Sequence, residues 1–369
     1  MRTIHFVTNR PPVTGGFGPP PPCGADETLT FGAVPVQPSP DPAKPGHLTG
    51  PFATQGAVAC AVAGPDIPLV AFLNRLIAQA ATAGQTPIVM VHGYSYSFQD
   101  AVIRTADVAT WLELGDFPVD LAPILFTWPS VTGITSDNYL ADRQRAEASA
   151  NALSRFILAF AAAWRTAGQP RCHFLAHSMG NWVAQSGMRA LAAIQGTNLP
   201  PDLFEQAILL GADTDVTALE PGQGLDQLAR IAETLTVGVN RTDFVTGVTA
   251  TDILKRPRLG AAGPASIARI PDNARIVDYT IAIAADRADM PPGETTWNYK
   301  LHQYYRTVAT VREDLGAILS GGDPDDIEHR FPSDAMRKAG QVGIKAGRLY
   351  LCPPAPPPPT DGIPERRGN

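Results

Sequence analysis

Strand-like and helix-like segments alternate along the middle of the chain, and this alternation is what most limits the possible folds. Apolar runs such as "TPIVMVHG", "APILFTW", "CHFLAH", "EQAILLGA" and "TLTVGV" are typical of buried strands. Segments between them, such as "SFQDAVIRTADVATWL" and "MGNWVAQSGMRALAAI", carry apolar residues at helical spacing. The sequence therefore predicts an α/β fold with a mostly parallel central sheet and helices on both faces.

Proline-rich stretches flank this alternating region. They read "RPPVTGGFGPPPPCG" near the start and "CPPAPPPPTDGIPERRGN" at the end, and such runs favour polyproline II rather than helix or strand interiors. We therefore divide the chain into an N-terminal Pro-rich extension with edge strands (residues 1–85), an α/β domain (residues 86–320) and a C-terminal segment with a Pro-rich tail (residues 321–369).

Composition excludes several classes of partner. A net charge of −6 gives no basic surface for nucleic acid. No apolar run approaches the roughly 20 residues of a membrane span, and the opening "MRTIHFVTNRPPV" lacks the apolar core of a signal peptide, so we expect a cytoplasmic protein without a membrane span. The four cysteines lie far apart and predict neither a metal site nor a disulfide scaffold: Cys23, Cys60, Cys172 and Cys352.

Ser178 lies where the strand "CHFLAH" gives way to a helix. The residues from Ala176 to Gly180 read A-H-S-M-G, which matches the G-x-S-x-G nucleophile elbow except for alanine at the first glycine. The elbow needs small residues at both ends because the strand and helix backbones meet closely there. The alternative interpretation is a serine that only caps the helix.

The strand that ends in "VHGY" could supply the oxyanion loop that accompanies such an elbow. Gly93 lets the backbone turn, so that the Tyr94 N–H and the Met179 N–H can face a developing oxyanion. His92 is interpreted as a brace of this loop rather than a group that titrates in the reaction.

Four motifs occur in the order found in a known family. "VMVHGYSYSFQDAVIRTADVA", "ILFTWPS", "NYLADRQRAEASANAL" and "FLAHSMGNWV" resemble the bacterial α/β-hydrolases known as domain of unknown function 900. The resemblance covers roughly Thr86 to Thr307, and "IHFVTNRPP" is weakly similar to the family's N-terminal strand. It implies an α/β-hydrolase fold, with residues 86–320 as the catalytic domain, and an esterase-like serine hydrolase, usually without an assigned physiological substrate.

Chain order limits the acid of a catalytic triad, because this fold presents serine, then acid, then histidine. Asp213, Asp215 and Asp243 are the carboxylates near predicted strand ends. The interval from Ser178 to Asp243 accommodates two helix–strand units of about 30 residues each, and the resembling family also carries an Asp at this position. Asp243 is therefore the predicted acid and Asp213 the reserve, with polar capping as the alternative for Asp213 and Asp215.

Only two histidines follow Asp243. His302 comes after "ARIVDYTIAIA", which reads as the last core strand, and is the predicted base. His329 lies in the charged stretch "DPDDIEHRFPS" and is expected to be solvated. His177 is excluded because its side chain should leave the turn in a different direction from that of Ser178.

These roles predict hydrolysis of a small carboxylic ester through an acyl-enzyme, without a metal or organic cofactor. A lipase, thioesterase or peptidase would use the same residues, and a non-catalytic binding protein with this fold is the alternative of a different class. Residues 244–300 could form a lid or an ordinary surface loop. Candidate substrate-binding residues are the aromatics near these segments, although plain core packing is the alternative for them: Tyr96, Trp128, Trp182 and Phe244.

Overall fold

The computed structural model describes residues 1–14, 16–18, 28–42, 44–59, 66–113, 117, 119–195, 200–288, 301–323, 326–327, 330–332 and 349–351. Within these ranges the strands are β1 (Arg2–Thr8), β2 (Pro12–Val13), β3 (Gly16–Phe17), β4 (Thr28–Gln37), β5 (His47–Leu48), β6 (Ala53–Ala59), β7 (Thr86–Val91), β8 (Leu121–Thr127), β9 (His173–His177), β10 (Phe204–Leu210), β11 (Ala232–Val239), β12 (Ala274–Asp278), β13 (Phe331–Pro332) and β14 (Leu349–Leu351).

The α-helices in the same ranges are α1 (Ile67–Ala83), α2 (Phe98–Glu113), α3 (Ser136–Ala148), α4 (Ala150–Thr166), α5 (Gly180–Gln195), α6 (Leu225–Arg230), α7 (Phe244–Val248), α8 (Leu259–Ala262), α9 (Thr280–Ala288), α10 (Tyr304–Thr307) and α11 (Ala309–Leu319). A π-helical turn, Thr249–Ile253, directly follows α7, and a 3₁₀ turn occupies Ile267–Arg269. None of the described helices is long and apolar enough to cross a membrane.

The main sheet has the strand order β13-β14-β12-β11-β10-β9-β7-β8-β1-β4-β5, and β6 pairs with β4. The strands from β14 through β1 in this order pair in parallel, whereas β4, β5 and β6 are antiparallel at one edge. The predicted α/β fold with a mostly parallel sheet is confirmed. Because β1 pairs with β8, the strands of residues 1–85 continue the sheet that residues 86–320 build.

Helices cover both faces of the sheet, as parallel strands require. Successive residues of β7 show the two layers. Val89 and Val91 pack in the core that includes α1, α4 and α5, whereas Ile88 and Met90 pack in the core that includes α2 and α11. This double burial explains why the strand sequences are continuous apolar runs rather than alternating ones.

One predicted element is wrong. The segment "ARIVDYTIAIA" is not a single strand, because β12 ends at Asp278 and α9 begins at Thr280. Asp278 Oδ1 accepts hydrogen bonds from the backbone N–H and the hydroxyl of Thr280, which starts the helix. Tyr279, Ala282 and Ile283 are buried at helical spacing. The β-branched residues favoured a strand, but the local cap and the burial period favour the helix.

Some sequence-based interpretations fall outside the described residues. These include His329, residues 289–300 of the possible lid, and the three cysteines Cys23, Cys60 and Cys352. Cys172 is described and is a buried free thiol.

Candidate active site

Ser178 lies at a sharp turn between β9 and α5, at the carboxyl edge of the sheet. Its φ of 55° is in the left-handed region, which a non-glycine residue occupies only when its surroundings hold it there. A Cβ on Gly180 would lie 2.5 Å from the Val91 carbonyl oxygen, and one on Gly93 would lie 2.8 Å from Ser178 Cβ. Both glycines therefore permit the close approach of backbones that an elbow needs. Ala176, which stands at the first glycine position of the motif, is buried, so its methyl group fits there.

Asn181 fixes this turn, a role that the motif did not predict. Its side-chain amide Nδ2 donates to the carbonyl oxygens of Ala176, Ser178 and Leu210 at 3.3, 3.1 and 3.2 Å. The backbone N–H of Ser178 also donates to Leu210 O at 2.9 Å. Ser178 is thus held at the end of β10 in two ways. Its own backbone N–H bonds to Leu210, and Asn181 in the first turn of α5 bonds to both Ser178 and Leu210.

His302 and Asp243 form a buried pair beside this turn. His302 Nδ1 lies 2.7 Å from Asp243 Oδ2. An ionised carboxylate only accepts hydrogen bonds, so in the neutral imidazole the proton belongs on Nδ1 and the lone pair on Nε2. Nε2 is buried and has no hydrogen-bond partner among the described residues.

The backbone around β10 places His302 close to Ser178. Gly211 directly follows Leu210, to which Ser178 is bonded, and a Cβ on Gly211 would lie 3.1 Å from Cε1 of the His302 ring. The chain on either side of His302 is also tied down. Asn240 Nδ2 donates to Leu301 O at 2.8 Å, and the Tyr304 hydroxyl accepts from Gly211 N at 3.0 Å.

Asp243 is held by the start of a short helix. It is the N-cap of α7, and its Oδ1 accepts hydrogen bonds from the backbone N–H groups of Val245 and Thr246 at 3.0 and 3.2 Å. One carboxylate oxygen is therefore used for positioning, and the other faces His302. The capping role and the partnership with histidine are not alternatives here but occur in the same residue.

The electrostatics of the site favour a protonated His302. Burial lowers the pKa of its imidazole. The charge and hydrogen bond of Asp243 and the charge of Asp213 raise the pKa by more than burial lowers it, so it lies above the ordinary histidine value. A charged imidazolium is therefore stabilised at this position, as a general base needs once it has accepted a proton.

His177 supports His302 rather than competing with it. His177 Nε2 lies 3.1 Å from the His302 carbonyl oxygen, and the two rings have centroids 4.8 Å apart. Burial and the neighbouring charge of His302 hold the pKa of His177 well below its usual value. His177 is thus a neutral side chain that packs behind the ring of His302.

The loop after β7 is braced by a chain of buried hydrogen bonds. His92 Nδ1 lies 2.8 Å from Gly93 O, and His92 Nε2 lies 2.9 Å from the Thr127 hydroxyl. Burial lowers the pKa of His92 to about 3, so its ring stays neutral. The ring also stacks on Trp128, whose indole N–H donates to His92 O at 2.8 Å. This arrangement fits a brace for the loop that carries Tyr94.

Arg10 extends this brace and was not recognised in the motif "IHFVTNRPP". Its buried guanidinium donates to the Thr127 hydroxyl at 3.0 Å, Ser130 O at 3.0 Å and Tyr96 O at 2.7 Å. One residue that follows β1 therefore ties together the loops that follow β7 and β8.

The Met179 and Tyr94 backbone N–H groups are the two amides that the sequence predicts to face an oxyanion. Met179 directly follows the serine and precedes α5, where the first N–H groups have no partner within the helix and attract negative charge. Tyr94 lies in the braced loop, and its hydroxyl donates to Gly133 O at 2.7 Å. The Tyr94 side chain therefore anchors this loop.

A cavity of about 390 Å³ opens beside these groups. Ser178, His302 and His177 line it together with Tyr94, Ser95, Tyr96, Ile134, Thr135, Ser136, Tyr139, Phe244, Val245, Val248, Thr249, Ile253 and Gln303. Tyr96 and Phe244 are thus brought to the cavity. Trp128 is fully buried against His92, and Trp182 packs under the Arg143 guanidinium at 4.0 Å, so neither indole lines the cavity.

Asp213 is occupied by other partners than His302. Its Oδ1 accepts a hydrogen bond from Arg258 Nε at 2.9 Å, and its Oδ2 accepts one from the Tyr139 hydroxyl at 2.7 Å. Arg258 also donates to Asp215 Oδ1 at 2.7 Å. Both aspartates therefore take part in an ion-pair cluster. The alternative interpretation, that their side chains cap the following segment, does not match these contacts among the described residues.

The parallel sheet with a serine at the strand-to-helix turn after β9 is the architecture of an α/β hydrolase. The chain belongs to the family described as alpha/beta hydrolase of unknown function (DUF900), which it matches over residues 72–279, more than half of its 369 residues. The resemblance inferred from the motifs is confirmed, and the family indicates hydrolase activity. The matched range includes Ser178 and Asp243 but ends before His302. No curated protein and no solved structure matches the chain significantly.

Proposed function

We propose that this protein is a serine hydrolase that cleaves carboxylic esters through an acyl-enzyme. The observation that carries the proposal is the buried Asp243–His302 pair, because His302 lines the same cavity as Ser178 and its Nε2 has no hydrogen-bond partner among the described residues. A histidine oriented by a carboxylate and placed beside a strained elbow serine is the arrangement that activates a hydroxyl for nucleophilic attack.

The reaction follows from these positions. His302 Nε2 takes the Ser178 proton while Oγ attacks the ester carbonyl, and the resulting oxyanion accepts hydrogen bonds from the Tyr94 and Met179 amides. His302 then gives its proton to the leaving alcohol, whose C–O bond breaks. Water, deprotonated in turn by His302, attacks the acyl-enzyme and releases the carboxylic acid. Asp243 keeps the imidazole in the required tautomer throughout.

The direction of the pKa shift of His302 determines the pH dependence. The base must be neutral to accept a proton, and its pKa lies above the ordinary value of about 6.5. kcat/KM should therefore rise with pH through an apparent pKa above that value, rather than at it as an unperturbed histidine would give. Steady-state hydrolysis of an activated ester between acid and mildly alkaline pH measures this limb.

The direct test replaces the nucleophile and the base. Ser178→Ala and His302→Ala should each lower kcat by about 10⁴-fold or more, and Ser178→Ala should also abolish labelling by a fluorophosphonate probe. Ser186→Ala, which removes another buried hydroxyl further along α5, is the matched control for the serine variant. His329→Ala is the histidine control and should leave the pH profile unchanged.

The same test separates the proposal from its alternatives. A well-folded wild-type protein that neither reacts with the probe nor hydrolyses any ester would be a binding protein with this fold, and the proposal would be wrong. A folded, fully active Ser178→Ala variant would reject Ser178 as nucleophile. Lipases, thioesterases and peptidases share the mechanism, so the nature of the substrate needs a separate argument.

A further inference from the structure

The cavity beside Ser178 has one wall that is almost entirely apolar. Phe244, Val245 and Val248 of α7, together with Ile253 of the π-helical turn, line one side. Asp243 starts α7, so this apolar wall directly adjoins the base of the site. A group bound to Ser178 therefore has an apolar surface within reach on the side of α7.

Two residues at this cavity expose large apolar side chains. Phe244 is 51% exposed and Ile134 is 65% exposed, although both line the cavity. An apolar group that covers them gains about 25 cal/mol for each Å² of apolar surface removed from water. These side chains therefore favour a substrate with an apolar portion.

The described lining of the cavity carries no permanently charged side chain. None of its described lining residues is Asp, Glu, Lys or Arg. The carboxylates behind the lining are already engaged, Asp243 with His302 and Asp213 with Tyr139 and Arg258. Above the pKa of His302, where its imidazole is neutral, a charged substrate group in this cavity would lose hydration without gaining an ion partner, which is strongly unfavourable.

We propose that the substrate is an uncharged ester of a medium-length apolar acid, whose acyl chain lies on the wall formed by Phe244, Val248 and Ile253. This inference rests on the proposed serine-hydrolase function. The volume of about 390 Å³ lies in the range of small-ligand sites.

The absence of charge also distinguishes among enzymes with this triad. A coenzyme A thioester carries several phosphates, and a peptide substrate commonly presents charged side chains or termini. No described lining residue would pair with either kind of charge. The proposed substrate therefore lies nearer to those of carboxylesterases than to those of thioesterases or peptidases.

The experiment uses p-nitrophenyl esters, which keep the leaving group constant. We expect kcat/KM to increase from acetate through butyrate to octanoate, by up to about fourfold for each buried methylene, and to fall again for palmitate. The mono-p-nitrophenyl ester of suberic acid, which ends the eight-carbon chain in a carboxylate, should react at least about 100-fold more slowly than the octanoate.

Variants test the acyl wall. Val248→Phe should narrow the cavity and lower the ratio of octanoate to acetate kcat/KM, and Phe244→Ala should lower the same ratio by removing apolar contact. Val13→Phe and Ile281→Ala are matched controls, because both change exposed apolar residues outside the cavity and should leave the ratio at its wild-type value.

The outcomes separate this inference from the function on which it rests. Probe labelling with equal kcat/KM for all chain lengths, or equal rates for the octanoate and the suberate ester, would overturn the acyl assignment while leaving the serine hydrolase intact. A preference that follows the alcohol in a series of alkyl acetates would overturn it as well. Absence of both labelling and hydrolysis would instead remove the serine-hydrolase function itself.

Discussion

The ends of β10 and β11 each place an aspartate near the same histidine, yet the two carboxylates have different partners. Asp243 accepts hydrogen bonds from the backbone N–H groups of Val245 and Thr246 and from His302. Asp213 is bonded to the Tyr139 hydroxyl and to the guanidinium of Arg258. Both carboxylates are almost fully buried.

The difference lies in the charge of those partners. Backbone amides fix the orientation of Asp243 without cancelling its negative charge, so this charge acts on the imidazole of His302. Arg258 brings a full positive charge to Asp213. Asp213 still helps to raise the pKa of His302, but as a minor contributor after Asp243. Neutral donors therefore suit a triad acid, whereas a cationic partner suits a structural ion pair.

Asp243→Asn should produce the largest effect, because it replaces the only described side chain that accepts a hydrogen bond from His302 Nδ1. The asparagine amide can donate to that nitrogen, which selects the wrong tautomer of the imidazole. We expect kcat for an activated ester to fall by up to about 10⁴-fold, as in a comparable triad. Steady-state kinetics with circular dichroism of the purified variant measures the loss at known foldedness.

Asp213→Asn is the matched change at the neighbouring strand end and should cost much less activity per folded molecule. Its main effect should be on stability, since Arg258 loses its buried partner. If Asp213→Asn were instead the crippled enzyme and Asp243→Asn stayed active, the assignment of the two carboxylates would have to be exchanged.

Local patterns predicted the fold well, because strand and helix periods are written in neighbouring residues. The alternation of apolar runs gave the parallel sheet, and small residues around Ser178 marked the elbow. The segment after Asp278 was misread because Ile281 and Ile283 favour a strand by residue type, whereas on α9 Ile283 is buried by packing and Ile281 is exposed.

The partners of the site could not be predicted from such patterns. Arg258 comes 45 residues after Asp213, and Arg10 comes 86 residues before Tyr96. Nothing in the local sequence of either arginine indicates which carboxylate or carbonyl group it meets. Spacing and the family resemblance selected Asp243 over Asp213, but the physical reason, a neutral against a cationic set of donors, required the three-dimensional contacts.

Arg258→Met should have the second-largest effect, on stability. It removes the closer of the two guanidinium groups beside Asp213, which is 2% exposed, and leaves this buried carboxylate with Arg143 at 4.0 Å. Breaking a buried pair in this way costs about 3–5 kcal/mol of the free energy of unfolding. Urea unfolding measures the loss, and the double variant Arg258→Met/Asp213→Asn should recover part of it. A double variant no more stable than Arg258→Met would argue against a direct pair.

The same variant should shift the pH dependence in a defined direction. Without the Arg258 guanidinium, the negative charge of Asp213 is less compensated and raises the pKa of the His302 imidazole further. The rise of kcat/KM with pH should therefore occur at higher pH in Arg258→Met and return toward lower pH in the double variant Arg258→Met/Asp213→Asn. An acid limb that moves to lower pH in Arg258→Met would contradict the electrostatic link between Asp213 and His302.

Tyr139→Phe should have the smallest effect, because it removes a hydroxyl from the Asp213 cluster but keeps the ring in the cavity wall. The hydroxyl donates to Asp213 Oδ2 at 2.7 Å and accepts from Arg143 Nη1 at 3.4 Å. Hydrogen bonds to charged groups contribute about 1.5–3 kcal/mol, and Arg258 remains to hold the carboxylate, so we expect a loss of about 1–2 kcal/mol in the free energy of unfolding.

Tyr94→Phe is the matched comparison, because its hydroxyl donates to the neutral carbonyl of Gly133. Its loss should be smaller, about 0.5–1 kcal/mol. Urea unfolding of both variants at one pH gives the difference. Equal losses would mean that the charge of Asp213 adds nothing to its hydrogen bond with Tyr139.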